Sequence, residues 1–336
     1  MKYNFKKVLV TGGAGCIGIP LSKELCDRGI EVVLFDLYEQ IITAESFIDP
    51  RVIKAGGSIL DSSSIREAMI GCDAVVHLAA HLGVRRTEVN KLRCLEINID
   101  GTKKVLEACI ANGNIKKFIF ASSSEVYGEP LKNPISELDI TQGKTLYGVS
   151  KISGEELVKA YNYEFPELEF SILRYFNTYG PYQISQFVIS KFISRVLDNK
   201  SPIIYGDGLQ IRSYNFSEDT ARGTADALLF KSTNSETINI GNSLEPINLI
   251  DLANLVIRIC GKEKDIKVDI KNTFLESDRN TNREIYQRYC DTSLALKLIN
   301  YKPKVMLKDG IKKIIETNIY RKTWQSFEKE YLLEEE

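Results

Sequence analysis

Tyr147 and Lys151, in Leu146-Tyr147-Gly148-Val149-Ser150-Lys151, lie four residues apart and share one face if the segment is helical. An ammonium held beside a phenol favours the phenolate, which can take a proton from a substrate hydroxyl near neutral pH. The spacing alone has little value, because many helices carry it by chance. Its neighbours give it weight. The run Ala121-Ser122-Ser123-Ser124-Glu125-Val126-Tyr127-Gly128 delivers hydroxyls and a carboxylate at the end of a strand-like segment, where doubly wound sheets place their ligands.

A second constellation stands at the front of the chain, in Thr11-Gly12-Gly13-Ala14-Gly15-Cys16-Ile17-Gly18. Gly12, Gly15 and Gly18 are spaced for a tight turn that opens a helix, so backbone amides and the helix N-terminus can receive a pyrophosphate. The position at a first βα junction makes dinucleotide binding a better reading than an ordinary turn. The next strand candidate ends at Asp36, where a carboxylate accepts hydrogen bonds from ribose hydroxyls and repels a 2′-phosphate, favouring NAD over NADP. An oxidised nicotinamide near Tyr147 would favour the phenolate further. Asp61 either meets the adenine edge or caps the following helix.

These residues need a scaffold, and the first half of the chain alternates short β-branched runs with amphipathic stretches. Strand candidates are Lys7 to Thr11, Val32 to Phe35, Val52 to Ala55, Ala74 to Leu78 and Phe118 to Ala121. Such alternation indicates parallel βαβ units. The expected fold is α/β, a Rossmann-type doubly wound parallel sheet over residues 1–176 with a smaller C-terminal substrate-binding lobe over 177–330. Some strands and helices of the second part are expected to return to the first. In that second part the helical patterns are Ser185 to Leu197, Ser217 to Phe230, Ile247 to Cys260 and Leu307 to Tyr320.

The 336 residues, 43% of them hydrophobic, suffice for a large core. The net charge of -1 supplies no global drive toward nucleic acid or an anionic membrane, so the expected partner is a small molecule met by a local cluster. Seven cysteines without a CxxC pair read as reduced thiols, and no apolar segment has the length of a membrane span. A cytoplasmic location is the expectation.

Together these motifs resemble the extended short-chain dehydrogenase/reductases, in their nucleotide-sugar epimerase/dehydratase branch. The matches, in family order, are the glycine turn, Asp36, His77-Leu78-Ala79-Ala80, Asn98 before Gly101-Thr102, the serine run, and Tyr147 with Lys151. They continue through Arg174-Tyr175-Phe176-Asn177-Thr178-Tyr179-Gly180-Pro181 and Gly206-Asp207-Gly208-Leu209-Gln210-Ile211-Arg212. The resemblance implies NAD as a recycled cofactor, contacted by Gly12, Gly15, Cys16, Ile17, Gly18, Asp36, Ile59, Leu60, Asp61, His77, Leu78, Ala79, Ala80, Asn98, Tyr147 and Lys151. It implies Ser123 as the third catalytic hydroxyl, Tyr147 as acid/base, and Lys151 as the residue that lowers the tyrosine pKa and holds the nicotinamide ribose. Ser123, Ser124, Asn177, Arg212 and Arg283 fall to a nucleotide-sugar substrate, with arginine suited to the diphosphate by its planar donors. Arg85 and Arg86 either reach the sugar or, the preferred reading, lie in a solvated loop, and His81 reads as a packed histidine. Relatives commonly dimerise through the helix bearing the tyrosine, so a homodimer is expected.

In this branch the tyrosine takes the C4 hydroxyl proton as hydride leaves C4, giving a transient 4-ketone. Inversion at C4, elimination across C5 and C6, or loss of a C6 carboxylate can follow. Glu125 tilts the reading toward C5 chemistry of the 4,6-dehydratase type on a UDP-sugar, because inversion at C4 needs no second base. Ser123-Ser124-Glu125 is similar to the Thr-Ser-Glu of certain dehydratases and decarboxylases, although many 4,6-dehydratases have Asp where Ser124 stands. The Pro-rich segment of UDP-glucuronate decarboxylases is missing after His77. Gln142 to Tyr147 and Asn177 to Ser185 lean toward UDP-N-acetylhexosamine dehydratases. A 4-epimerase is the main alternative, followed by a UDP-glucuronate decarboxylase and a non-catalytic NAD-sensing protein.

Overall fold

The computed structural model describes residues 1–83, 87, 89–183, 187–271 and 285–317. Arg283, Arg85 and Arg86 lie outside the described residues. The first part of the chain runs β1 (Lys7–Thr11), α1 (Gly18–Asp27), β2 (Glu31–Asp36), α2 (Tyr38–Ala44), β3 (Ile53–Gly56), α3 (Ser62–Ala68) and β4 (Ala74–His77). It continues through α4 (Lys91–Leu95), a π-turn (Glu96–Gly101), α5 (Thr102–Asn112), β5 (Lys117–Ser123), a 3-10 turn (Ser124–Tyr127), α6 (Leu146–Glu164) and β6 (Glu169–Tyr175). The remainder comprises β7 (Thr178–Tyr179), α7 (Val188–Leu197), β8 (Ile203–Tyr205), β9 (Ile211–Arg212), β10 (Asn215–Phe216), α8 (Ser217–Leu229) and β11 (Glu236–Ile240). It closes with β12 (Ile247–Asn248), α9 (Leu249–Ile259), β13 (Asp269–Lys271), β14 (Gln287–Arg288), α10 (Ser293–Ile299) and α11 (Leu307–Thr317).

Among the described residues a seven-stranded sheet has the order β11-β6-β5-β4-β1-β2-β3, with parallel pairing throughout. The chain reverses direction across the sheet between β3 and β4, which leaves a crevice beside β1 and β4 at the carboxyl ends. The inner strands β1, β2, β4 and β5 are nearly continuous apolar runs because both faces are covered. Alternate residues go to opposite sides. Val8, Val10, Val32, Leu34, Val76, Ile119 and Leu173 pack with α1 and α8, whereas Leu9, Val33, Val75, Phe118, Phe120 and Ile172 pack with α3, α5 and α6. This is the doubly wound α/β fold expected from the alternating pattern.

The chain beyond Asn177 returns a strand to this sheet, since β11 pairs with β6 from Glu236↔Ser171 to Ile240↔Tyr175. A separate apolar cluster joins α7, α9 and α11 through Phe192, Ile193, Leu252, Val256, Ile311 and Ile314. Between these layers Val126, Tyr127, Ile135, Phe176 and Cys290 form a small cluster beneath the serine run.

Candidate active site

The glycine turn occupies the crevice beside β1. Gly12 has φ +68°, a left-handed backbone natural to glycine, and a Cβ there would come within 2.6 Å of the Ala79 nitrogen. A Cβ on Gly18 would strike the Gly13 carbonyl at 2.5 Å, so α1 can pack directly on the turn. At Gly15 the nearest obstacle is the Gly12 oxygen at 3.3 Å, with nothing else inside 4 Å, so the loop opens outward at that residue. This open cradle fits a dinucleotide pyrophosphate lying on the loop amides and the start of α1. Asp36 ends β2 beside it, its carboxylate accepting from the Ala14 amide at 3.0 Å and the Leu37 amide at 2.8 Å. Burial raises its pKa, opposed by those two bonds.

The other residues expected around the cofactor separate in the structure. Leu78, Ala79 and Ala80 are partly buried against the turn, with the Leu78 amide donating to the Thr11 carbonyl at 3.0 Å. Cys16 and Ile17 are partly buried at its other side, and burial pushes the Cys16 thiol up to about 12, out of the nucleophilic range. Ile59 is buried against Gly101, where a Cβ would meet its Cδ1 at 2.6 Å, and Leu60 follows it, partly buried. Asp61 is exposed and caps α3, accepting from the Ser63 amide at 3.0 Å and from the hydroxyls of Ser63 and Ser64, which hold its carboxyl well below the usual range. Of its two readings, the cap is the one seen. The His77 side chain is fully buried, with Nδ1 hydrogen-bonded to Thr11 Oγ1 at 2.7 Å and Nε2 to Thr102 Oγ1 at 3.1 Å. Its ring is thus engaged inside the protein. His81 is buried too, and its backbone pairs with Asn98, whose Nδ2 also donates to Ser150 Oγ at 2.9 Å. Asn98 thereby fastens the π-turn to α6.

That helix carries Tyr147 and Lys151. Thr145 caps α6, its hydroxyl accepting from the Gly148 amide at 3.0 Å, so Tyr147 stands in the first turn and Lys151 one turn on. Tyr147 is partly buried and hydrogen-bonded to the Ser123 side chain. Burial and the charge of Glu125 raise its pKa, and the Ser123 bond opposes them, so the residue rests as a phenol. Lys151 Nζ donates to the Ala121 carbonyl at 2.8 Å and sits 5.7 Å from the Tyr147 ring centroid. Burial pulls its pKa down to about 8, against the charge of Glu155. Ser123, Tyr147 and Lys151 are therefore brought together at the end of β5. Ser124 is buried in the 3-10 turn, and Ser123 Oγ accepts from the Glu125 amide at 3.2 Å.

Two features were hidden in the sequence. The first is a buried relay behind α6: Ser122 Oγ donates to Glu155 at 2.5 Å, and Arg174 grips the same carboxylate at 2.9 and 2.7 Å. Arg174 also donates to Tyr127 Oη at 3.0 Å, which donates to Asn239 on β11 at 2.7 Å. The second is Arg288 on β14, whose Nη2 donates to Glu125 Oε1 at 2.5 Å. Glu125 is 27% exposed at its side chain and Arg288 is 6% exposed. The only sequence hint was an arginine among apolar neighbours in a late strand.

In the second part Asn177 adopts φ +33°, an uncommon backbone for a residue with a side chain, and its Nδ2 donates to the Ser213 carbonyl at 3.0 Å. Arg212 donates to the Ile211 carbonyl at 2.9 Å and the Ile285 carbonyl at 2.6 Å, just before β14. Among the described residues no cluster of histidine, cysteine or carboxylate side chains could hold a metal ion, and no helix is long and apolar enough to cross a membrane.

A family model described as the NAD dependent epimerase/dehydratase family matches residues 8–241. The chain is 32% identical to a UDP-N-acetyl-alpha-D-glucosaminuronate decarboxylase of Bacillus cytotoxicus, over 93% of this chain and 97% of the relative. It is 31% identical to the human dTDP-D-glucose 4,6-dehydratase, over 96% of this chain and 93% of the relative. Among solved structures, a UDP-glucose 4-epimerase of Thermotoga maritima with UDP-glucose superposes with a TM-score of 0.83 at 29% identity, covering 94% of this chain and 99% of that one.

Proposed function

Because the chain belongs to the NAD dependent epimerase/dehydratase family, we propose that it oxidises C4 of a nucleotide-linked sugar to a transient ketone and reduces it again with inversion. NAD, when bound, supplies a hydride acceptor that also returns the hydride. Tyr147 takes the C4 hydroxyl proton and later gives it back. Ser123 orients the phenol, and the Lys151 ammonium favours the phenolate. Arg212 and Asn177 face the nucleotide half in this reading, and the active unit is a homodimer joined through α6.

The observation that carries inversion over C5 chemistry is the Glu125–Arg288 ion pair. A carboxylate in such a pair must surrender it on taking up a proton, so Glu125 is poorly placed to serve as a C5 base. Tyr147 is left as the proton carrier, and inversion needs no other. C5 chemistry stands as the second reading because the charge of Glu125 acts on Tyr147, which supports a carboxylate near the acid/base residue. A non-catalytic NAD sensor fits poorly with an assembled Ser123, Tyr147 and Lys151.

Turnover of a nucleotide-sugar panel in heavy water tests this. The expected product is the C4-inverted sugar without deuterium at C5. Glu125→Gln should retain turnover, and Tyr147→Phe should lose on the order of 10²- to 10⁴-fold while still binding NAD. Deuterium at C5, with a Glu125→Gln enzyme stalled after oxidation, would replace inversion by C5 chemistry.

A further inference from the structure

Thr11, His77, Asn98, Thr102 and Ser150 are all buried, and one continuous line of hydrogen bonds joins them across β1, β4, the π-turn, α5 and α6. The line starts one residue before the glycine turn and ends on the backbone carbonyl of Tyr147. Its direction follows from the donors that each group carries. Ser150 Oγ donates to the Tyr147 carbonyl at 2.8 Å and accepts from Asn98 Nδ2 at 2.9 Å. The Asn98 amide cannot be turned round, because its Oδ1 accepts from the His81 amide at 2.7 Å. Thr102 Oγ1 gives its single hydrogen to the Asn98 carbonyl at 2.7 Å, so toward His77 it can only accept. The ring proton of His77 is therefore on Nε2, and the bare Nδ1 accepts from the Thr11 hydroxyl at 2.7 Å. Burial, and to a smaller extent the charge of Lys151, holds the His77 pKa down to about 3, in keeping with a neutral ring. Thr11 Oγ1 also receives the Ala79 amide at 3.4 Å, and that nitrogen is the backbone against which Gly12 packs. The line is thus tied to both sides of the cofactor cradle.

We infer that His77, in its neutral Nε2–H form, is a positioning residue that ties the glycine turn to the first turn of α6 and so fixes Tyr147 relative to the cofactor cradle. The inference rests on the reading of Tyr147 as the acid/base. That chemistry needs the phenol and the hydride acceptor to meet at one carbon, yet the cradle and the tyrosine stand at opposite ends of the first part of the chain. A line of neutral buried groups suits the task, because its bonds are shielded from water and each strengthens the next. An ionised link would instead set a further charge beside Lys151 and Tyr147. Both ring nitrogens of His77 are engaged, so it acts through Thr11 and Thr102 rather than on a reacting atom.

The test begins with ring-nitrogen NMR of the full-length protein, with and without NAD. The chain has two histidines, and His81→Gln removes the other signal. His77 should show a protonated Nε2 and a bare Nδ1 from roughly pH 5 to 8, the range in which an ordinary histidine titrates. A ring that titrates there, or that carries its proton on Nδ1, would overturn the inference. The second arm is turnover of a nucleotide-sugar by Thr102→Val, which removes one hydroxyl from the line at nearly constant volume, and by Ser150→Ala at the far end. Each should lower kcat by on the order of 10- to 100-fold, the cost of a small misplacement of a reacting group, with KM and NAD affinity nearly unchanged. Thr102→Ser should recover most of the rate, and His77→Gln, whose amide offers both an acceptor and a donor, should keep more of it than His77→Leu. The double variant of Thr102→Val with Ser150→Ala should lose no more than the worse single one, since both cut the same line. Losses that multiply, or an unchanged kcat in folded Thr102→Val protein, would reduce these bonds to the satisfaction of buried groups and overturn the inference alone. Should Thr102→Val fail to fold, Ser150→Ala and the wild-type ring signals decide. If wild type turns over no nucleotide-sugar, the acid/base reading falls, and this one with it.

Discussion

Lys151 and Tyr147 share one face of α6, yet burial pushes them in opposite directions, the ammonium down to about 8 and the phenol up. Both shifts favour the neutral forms. The consequence is an alkaline limit: as pH rises through about 8, Lys151 loses its charge, and turnover should fall. Stability should move the other way. Between about 8 and the ordinary lysine value of 10.5 the unfolded chain binds more protons at this site than the folded one, so this residue's contribution to stability rises with pH across that window. A pH–rate profile recorded beside denaturation midpoints separates the two, and parallel loss of both above pH 8 would refute the assignment. Tyr147, Lys151, Ser123 and the glycine turn were legible in the sequence because each depends on a local spacing that one helix or one turn preserves. The Glu125–Arg288 pair was not, since it joins residues 163 positions apart. His77 was legible as a strand end but not as a ring held on both nitrogens, because Thr11 and Thr102 approach it from different elements.

At the scale of elements, the Arg174–Glu155 pair fixes α6 against β5 and β6, with side chains only 7% and 3% exposed. Glu155 lies one turn beyond Lys151, so the pair also sets the register that delivers Lys151 to the Ala121 carbonyl. Arg174→Met would leave Glu155 buried with the Ser122 hydroxyl alone, and breaking such a pair costs roughly 3–5 kcal/mol. Urea denaturation should show a midpoint lowered accordingly. A variant within about 1 kcal/mol of wild type, the level of an exposed ion pair, would show that the pair contributes little. The strands of the first half were readable from β-branched runs between helical stretches, and β1 to β5 lie within a few residues of those runs. β6 and β11 were not picked out. Glu236-Thr237-Ile238-Asn239-Ile240 is short and half polar, and its place beside β6 is decided by tertiary pairing rather than by composition.

For the whole molecule, the main sheet is not built from the first part of the chain alone. β11 covers the edge of β6, and Asn239 on it accepts from Tyr127 while its Nδ2 donates to the Ile135 carbonyl at 3.0 Å. Lys117, buried at the start of β5, is held by Phe230, Thr233 and Asn234 just before β11. A chain ending at residue 230 should therefore expose β6 as an unprotected edge and aggregate, whereas one ending at residue 317 should remain soluble and folded by circular dichroism. A soluble, cooperatively folding 1–230 fragment would contradict this. The same feature sets an order on biosynthesis. While the ribosome is still producing the second part, the nascent enzyme already carries its glycine turn, Tyr147 and Lys151, but the strand that seals the sheet behind them has not emerged. Catalytic competence arrives late in translation, and the growing chain depends until then on whatever shields its open edge in the cell.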